Sequence, residues 1–346
     1  MIAPFIHDAP SQRIVFAPGA VGQVAEEATR LGMARALVIA TPGSGATLGA
    51  RVRDLLGARA AGLHAQAVIH VPRGVAAAGL QAAQGANADG LVVVGGGSAI
   101  GLAKAIAHQT ALPILALPTT YSGSEATPIF GLSEGDEKLV QRDPRVLPRT
   151  VIYDPDLTLG LPAAVSAASG MNAIAHCVEA FWVPDRTPVT MALAAEALRL
   201  LVPGLPRAVA DGNDKDARNA CLAASWLAGA ALAAGTGLHH KLAHVLGGFG
   251  LPHAEAHALI LPHVARFNLA AATDAAARLA ATFGAADAVT ALETMLQTFP
   301  IPQRLRDLGF ERGKIEAAAI QVAALEINAP RRVSEDEVRM LLMAAF

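Results

Sequence analysis

Short apolar runs alternate with longer, alanine-rich amphipathic segments through the first 155 residues of the chain. The predicted strands are 36–40 (ALVIA), 67–71 (AVIHV), 91–94 (LVVV), 114–117 and 151–153. The predicted helices between them cover about 46–56, 75–87 and 98–109. Continuous apolar strands separated by helices are typical of a parallel sheet covered on both faces, so this part is predicted to be an α/β domain.

Residues 119–150 interrupt this alternation because they are rich in glycine, serine and charged residues. We predict a long loop there, with a hairpin as an option within it. After residue 155 strand-like runs vanish, and the pattern indicates helices with short breaks to the end of the chain. We therefore predict an α/β domain over 1–157 and an all-α domain over 158–346, with a ligand site in the cleft between them.

Composition excludes several classes of protein. Hydrophobic residues make up 53% of the 346 residues and the net charge is −2, which argues against disorder and against a polyanion partner. The two cysteines, Cys177 and Cys221, lack any metal or redox spacing. The N-terminus has no secretory pattern, and no uninterrupted apolar run reaches membrane-spanning length, so we expect a cytoplasmic protein with no membrane or nucleic-acid partner.

A glycine-rich turn follows the predicted strand 91–94. Gly95, Gly96 and Gly97 allow close approach of a bulky anion to the backbone, and Ser98 opens the next predicted helix. A helix N-terminus offers free N–H groups and partial positive charge, which together favour a pyrophosphate. The turn alone is also compatible with a simple tight turn, because it lacks the spacing of the common dinucleotide fingerprint.

A second turn, rich in hydroxyl groups, follows the strand at 114–117. It contains Thr119, Thr120, Ser122 and Ser124. Ligands of open α/β sheets bind at the carboxyl ends of the strands, so the two turns together favour a nicotinamide dinucleotide. Thr41, after the first predicted strand, is a further candidate contact. No acidic residue or arginine stands there to discriminate NADH from NADPH.

Six of the eleven histidines lie between positions 239 and 263. His240 and His244 are four residues apart and share a helix face, as do Asn172 and His176 further upstream. His253 follows on a predicted turn. Imidazoles in such a cluster suit proton transfer near neutral pH or metal binding. Three further histidines are assigned structural or supporting roles: His239, His257 and His263.

The motifs GGGS, PTTYSGSE, GMNAIAH, GLHHKLAHVLGG and LPHAEAH occur in this order along the chain. In type and order they resemble the iron-containing alcohol dehydrogenase family. That resemblance implies a dehydroquinate synthase-like fold, with a Rossmann-like parallel-sheet domain followed by a helical domain. It also implies NADH or NADPH as cofactor and a homodimer.

Metal-dependent members of that family bind a divalent ion through one Asp and three His. The matching positions in this sequence are Asn172, His176, His240 and His253. Asn172 thus replaces the one anionic ligand, and a neutral amide does not offset the charge of the ion. We therefore expect a vestigial metal site and no tightly bound metal.

Asn172, Gly101 and Lys241 resemble the maleylacetate reductase branch of the family. The branch implies NAD(P)H-dependent reduction of the C=C bond of maleylacetate to 3-oxoadipate. His240 and His244 are then the candidates for enolate stabilisation and proton donation, with His176, His253 and Asn172 completing the site. The dicarboxylate substrate needs cationic partners, for which the candidates are Lys241, then Arg142 and Arg145.

Three alternatives stay open at this stage. A metal-dependent alcohol or polyol dehydrogenase, using iron or zinc, would tolerate Asn172 and use the remaining histidines. A dehydroquinate synthase-like lyase would need a lysine-rich phosphate site, which the sequence does not display. A non-catalytic binding protein is the remaining alternative.

Overall fold

The computed structural model describes residues 4–134 and 137–346. They form two compact units. One consists of residues 9–161, and the other of residues 162–346 together with residues 4–8. The first unit contains the sheet, and the second is helical.

The sheet unit is built on six parallel strands in the order β1-β8-β5-β4-β2-β3. A separate antiparallel hairpin joins β6 to β7. The strands are β1 Arg13–Phe16, β2 Ala36–Ile39, β3 Ala60–His64, β4 Gly90–Gly95, β5 Ile114–Pro118, β6 Ile129–Glu134, β7 Glu137–Arg142 and β8 Thr150–Tyr153. The helices are α1 Val24–Arg30, α2 Ser44–Leu56, α3 Arg73–Gly85 and α4 Gly97–Thr110.

The central strands β2, β4, β5 and β8 are buried along their whole length, which explains their continuous apolar sequences. These are the predicted strands 36–40, 91–94, 114–117 and 151–153, and the hairpin lies inside the predicted loop. One core cluster joins Val38, Val92, Leu115 and Ile152. The prediction of a parallel sheet between helices is confirmed.

The predicted strand 67–71 is wrong. The third strand of the sheet is instead β3, which lies at an edge of the sheet and is only partly buried except at His64. An edge strand needs no apolar run, so its sequence AAGLH gave no signal. Residues 67–71 form a turn in which His70 and Val71 adopt positive φ angles of 63° and 46°. The other edge strand, β1, was not predicted either.

The helical unit contains nine α-helices within its described residues. They are α5 Ala163–Glu179, α6 Pro188–Ala210, α7 Lys215–Ala231, α8 Leu238–Gly248, α9 His253–Leu269, α10 Thr273–Phe283, α11 Ala288–Thr298, α12 Ile315–Ala323 and α13 Glu335–Ala345. Helix α5 is buried from Ser166 to Glu179 and packs against α6, α7 and α9. Thr187 caps α6 in a reciprocal capping box and also contacts His7, so residues 4–8 join this unit.

Among the described residues, α6 is long and apolar enough to cross a membrane by length and composition, and two bent helix pairs pass the same test when each pair is joined. Helix α6 nevertheless contains two prolines and carries an exposed Glu196–Arg199 ion pair at 2.6 Å. It also packs closely against α5 and α7. Packing within the helical unit therefore accounts for its apolar face.

Candidate active site

The predicted glycine and hydroxyl turns are neighbours in the sheet unit. They follow β4 and β5, which pair in parallel with Gly95 opposite Pro118. The amide of Thr119 donates to the carbonyl of Gly95 at 3.1 Å. Strand β2 pairs with β4 on the other side, so Thr41 follows an adjacent strand at the same edge. These strand ends are where an open parallel sheet binds its ligand.

The glycine turn brings two backbone segments into close contact. Gly95 has a φ of 145°, which a residue with a side chain rarely adopts. A Cβ atom on Gly96 would lie 2.7 Å from Cγ2 of Thr120, so only glycine permits this approach. Gly97 and Ser98 begin α4, and within the described residues no side chain caps its N-terminus. The first turn of α4 is thus open to an anion.

The hydroxyl groups at this edge are held by local contacts. Thr120 Oγ1 donates to Ser122 Oγ at 3.4 Å, while Ser124 starts a single turn of 3₁₀ helix. The side chain of Thr41 lies over Gly45 in the first turn of α2, where a Cβ atom would come 2.1 Å from its Oγ1. The hydroxyls therefore lie after β2 and β5, the strands on either side of β4 and its glycine turn, as contacts to a ribose or phosphate would require.

Three helices of the other unit bring the predicted histidines together. Helix α5 supplies His176, α8 supplies His240 and His244, and α9 begins with His253. Their ring centroids are 5.1 Å apart for His176–His240, 6.2 Å for His240–His244 and 5.7 Å for His244–His253. Asn172, one turn before His176 on α5, is buried, and its Oδ1 has no hydrogen-bond partner within the described residues.

His257 lies at the centre of this cluster, although the sequence indicated only a structural or supporting role. Its ring centroid is 4.8 Å from those of His239 and His240 and 4.4 Å from that of His253. The side chain is fully buried, and within the described residues neither ring nitrogen has a hydrogen-bond partner. Its spacing of four from His253 on α9 was the available signal.

Glu179 is a site residue that the sequence reasoning missed. Its carboxylate accepts a hydrogen bond from His240 Nδ1 at 2.5 Å, from the His239 amide at 2.9 Å and from the Gly237 amide at 3.1 Å. It thereby caps the N-terminus of α8 and fixes the orientation of the His240 ring. Glu179 follows His176 by three positions and so shares the helix face that the sequence had already singled out.

Burial favours the neutral form of three of these histidines. It lowers the pKa of His176 and His257 well below the usual value, and the neighbouring histidines lower it further. The same causes lower the pKa of His239 to about 4. Burial alone would raise the pKa of Glu179, but His240, His239 and the Gly237 amide outweigh it and bring that pKa below its usual value. The cluster is thus several neutral imidazoles around one buried carboxylate.

The predicted cationic residues have different surroundings. Lys241 is half-buried on α8 beside His240, and within the described residues its side chain makes no hydrogen bond or ion pair. Arg145 belongs to the sheet unit and pairs with Asp143 at 2.7 Å. Arg142 is exposed on β7 of the same unit. Of the three predicted cationic residues, Lys241 is therefore the one that lies next to the histidines and has no ion pair within the described residues.

Two family models together match almost the whole chain. The family model for iron-containing alcohol dehydrogenase matches residues 10–155, and the model for the C-terminal part of the Fe-containing alcohol dehydrogenase family matches residues 166–346. This chain belongs to the iron-containing alcohol dehydrogenase family. The resemblance seen in the sequence motifs is therefore confirmed.

Relatives within the iron-containing alcohol dehydrogenase family match almost the whole chain. Maleylacetate reductase 2 of Cupriavidus pinatubonensis is 48% identical, over 96% of this chain and 94% of its own length. The crystal structure of maleylacetate reductase from a Rhizobium species has a TM-score of 0.92 and 42% identity, covering 99% of this chain and 98% of its own. Sulfoacetaldehyde reductase of Bifidobacterium kashiwanohense, in complex with NAD+, has a TM-score of 0.90 and 25% identity, covering 99% of each chain.

The histidine cluster fits the metal site of the iron-containing alcohol dehydrogenase family only in part. Two triads within the described residues bring ring nitrogens within 4.8 Å of one another, namely His239/His240/His257 and His244/His253/His257. Neutral imidazoles are suitable zinc or iron ligands. The four family positions supply no carboxylate, however, and Glu179 is already engaged by α8. The site therefore does not reproduce the one-Asp, three-His ligand set.

Proposed function

We propose that this chain is a maleylacetate reductase, which reduces the C=C bond of maleylacetate to 3-oxoadipate at the expense of NADH or NADPH. The observation that carries the proposal is the exchange of an anionic metal ligand for the buried amide of Asn172 beside neutral imidazoles. Full-length relatives that are maleylacetate reductases support it. An alkoxide-forming dehydrogenase has more need of a metal than an enone reductase, whose enolate can be held by hydrogen bonds.

The nicotinamide cofactor, when bound, supplies a hydride to the alkene carbon β to the ketone. The open N-terminus of α4 at Gly97 and Ser98 would hold its pyrophosphate, and Thr41, Thr120 and Ser122 would contact the ribose and phosphate oxygens. The contact between Gly96 and Thr120 supports this assignment because it brings the two turns together. NAD+ in the structural relative supports the same class of cofactor.

Hydride addition leaves negative charge on the ketone oxygen as an enolate, and the adjacent carbon must then gain a proton. His240 is our candidate for holding that oxygen, since its Nε2 has no partner within the described residues. Glu179 fixes the proton on Nδ1 of His240, so Nε2 must carry a second proton to donate to the enolate oxygen, and the carboxylate offsets the positive charge that the ring then bears. His244 is our candidate for the proton donor, and Asn172, His176 and His253 orient the substrate.

The two carboxylates of maleylacetate require cationic contacts. Lys241 lies one residue from His240 and carries no competing ion pair within the described residues, so we assign it one carboxylate. Arg142 and Arg145 are candidates for the other, although Arg145 would first have to share its pairing with Asp143. We further propose a cytoplasmic homodimer without a tightly bound metal.

A direct assay tests this function. Purified protein is incubated with NADH or NADPH and either maleylacetate, simple aldehydes or no substrate, and the absorbance of the reduced cofactor is followed. We expect rapid, stoichiometric oxidation with maleylacetate and formation of 3-oxoadipate. Turnover of an aldehyde without turnover of maleylacetate would refute the proposal.

The second candidate is a metal-dependent alcohol or polyol dehydrogenase, which the two histidine triads favour. Elemental analysis of the purified protein, with activity measured before and after chelation, separates the two. We expect less than stoichiometric metal and unchanged maleylacetate reduction after chelation. Stoichiometric metal whose removal abolishes activity would favour this second candidate instead.

A further inference from the structure

Lys104 is a fully buried lysine in α4 whose ammonium group is satisfied by main-chain carbonyls. Its Nζ donates to the carbonyls of Ser124 at 2.6 Å, Thr127 at 2.7 Å and Ile129 at 2.8 Å. Thr127 Oγ1 lies at 3.3 Å as a further acceptor. An ammonium has three N–H donors, so all of them are used by one short stretch of chain.

These contacts connect the two turns of the candidate cofactor site. Lys104 belongs to the helix that begins immediately after the glycine turn, at Gly97. Its partners begin at Ser124, the last residue of the hydroxyl turn, and continue to the first residue of β6, Ile129. The side chain thus binds the far end of the hydroxyl turn to the helix whose N-terminus would hold the phosphates.

The charge of Lys104 is not matched by a direct ion pair. Within the described residues no carboxylate lies within 4.0 Å of its Nζ, so the carbonyl dipoles provide its direct contacts. Glu125 is also fully buried and accepts a hydrogen bond from the Tyr153 hydroxyl at 2.8 Å, while its Oε2 has no partner in this part of the chain. Burying an ammonium group costs free energy, and the hydrogen bonds to these carbonyls offset that cost only while the loop keeps this conformation. The lysine and the loop therefore fix each other in place.

We propose that Lys104 is a positioning residue, which fixes the hydroxyl turn against the glycine turn and so sets the affinity for the nicotinamide cofactor. It acts through Ser124 and the backbone up to Ile129 and does not itself touch the cofactor. The inference rests on the proposed use of NADH or NADPH. It does not depend on which substrate is reduced.

Lys104→Met tests the inference because methionine has similar length and no donor. Binding of NADH and of NADPH is titrated directly by nucleotide fluorescence, without substrate. We expect the dissociation constant of the preferred nucleotide to rise at least about tenfold, as is usual when supporting hydrogen bonds behind a site are lost. In turnover assays the KM for the nucleotide should rise with a smaller change in kcat.

Two variants serve as matched controls. Val52→Ala makes a cavity in the same unit, in the core beneath α2, and should lower thermal stability while leaving nucleotide affinity unchanged. Thr127→Val removes the hydroxyl contact with Lys104 and two local hydrogen bonds of the same hydroxyl, to Ser124 and Ile129, but leaves the three carbonyl acceptors of Lys104 in place, so it should bind nucleotide nearly normally. Lys104→Arg keeps the charge but not the geometry, and it should fall between wild type and Lys104→Met.

The outcomes separate the inference from the proposed function. Normal nucleotide affinity in Lys104→Met would overturn the positioning role. An equal loss of nucleotide affinity in Val52→Ala would overturn it as well, because the loss would then follow from lower stability alone. If Lys104→Met does not fold, the nucleotide titration is repeated with Lys104→Arg. Unchanged nucleotide affinity in that variant would contradict the positioning role of Lys104. A wild-type protein that binds nucleotide but does not reduce maleylacetate would overturn the proposed function alone, and one that binds neither nucleotide would overturn both.

Discussion

Glu179 is the residue that holds the start of α8 and the His240 ring in place within the histidine cluster. It accepts hydrogen bonds from two main-chain amides at the start of α8 and from the His240 ring. A glutamate on a helix ordinarily suggests an exposed position, and its sequence gave no indication of these partners. The tertiary packing of α5 against the start of α8 creates this site, so single-residue reasoning did not find it.

Glu179→Gln tests this role at the residue scale. With its oxygen in the place of Oε2 the glutamine can still accept from His240 and from the Gly237 amide, but its amino group, in the place of Oε1, cannot accept from the His239 amide. We expect kcat to fall about 10–100-fold, as for other residues that orient an active imidazole. Ser169→Ala, on the same helix and also buried, is the control and should leave kcat unchanged. Steady-state kinetics with maleylacetate decide, and equal effects of both substitutions would argue against an orienting role.

Asn172→Asp asks whether the amide is what keeps the site free of metal. The carboxylate would supply the missing anionic ligand beside His176 and His240, so zinc or iron should bind more tightly. We expect stoichiometric metal after dialysis and slower maleylacetate reduction. Asn172→Ala serves as the uncharged comparison. Elemental analysis is the measurement, and equal metal content in both variants would contradict the expectation.

The pH dependence of stability should report Glu125. Burial raises its pKa from 4.5 to about 6, so the folded state holds the proton more tightly than the unfolded state. Its stabilisation is therefore complete below pH 4.5 and is lost as the pH rises through 6. Relative to Glu125→Gln, wild type should lose about 2 kcal/mol of unfolding free energy over this window. Urea unfolding of both proteins from pH 4 to 7 measures this loss. A difference in unfolding free energy between the two proteins that does not change with pH would contradict the raised pKa of Glu125.

At the scale of elements, buried strands were predictable and edge strands were not. Strands β2, β4, β5 and β8 are covered on both faces, so every position is apolar. Strand β3 is covered less, and its alanines and glycine are not distinctive. The apolar residues 67–71 belong instead to a turn in which Ala67 and Val71 are buried but Val68 and Ile69 are not. Hydrophobicity alone does not distinguish such a turn from a strand.

Gly96→Ala tests the contact between the two turns at this scale. A Cβ atom there would meet Thr120 at 2.7 Å and push the hydroxyl turn away from the start of α4. We expect nucleotide affinity to fall about 10-fold or more, because the phosphate contacts depend on this spacing. Gly74→Ala is the control, since a Cβ atom in its place has no neighbour within 4 Å. Unaltered nucleotide binding by Gly96→Ala would show that the turns need not touch.

At the scale of the whole molecule, local periodicity predicted both the sheet and the helical region. It also predicted that Asn172 and His176 share one helix face and that His240 and His244 share another. It did not predict which helices pack together. The proximity of His176 to His240 and the central position of His257 depend on α5, α8 and α9 meeting, which is a tertiary property. The order of the motifs along the chain supplied what periodicity lacked, because it linked these residues to one family.

Residues 4–8 pack with the helical unit, whereas the sheet unit is the uninterrupted stretch 9–161. His7 contacts Thr187, which lies 180 positions later in the chain. On a ribosome, the whole sheet unit therefore emerges before the partner of His7 has been made. Since domains generally fold as units during synthesis, the sheet unit can fold first, and residues 4–8, although they precede it in the chain, can dock only after Thr187 has been made.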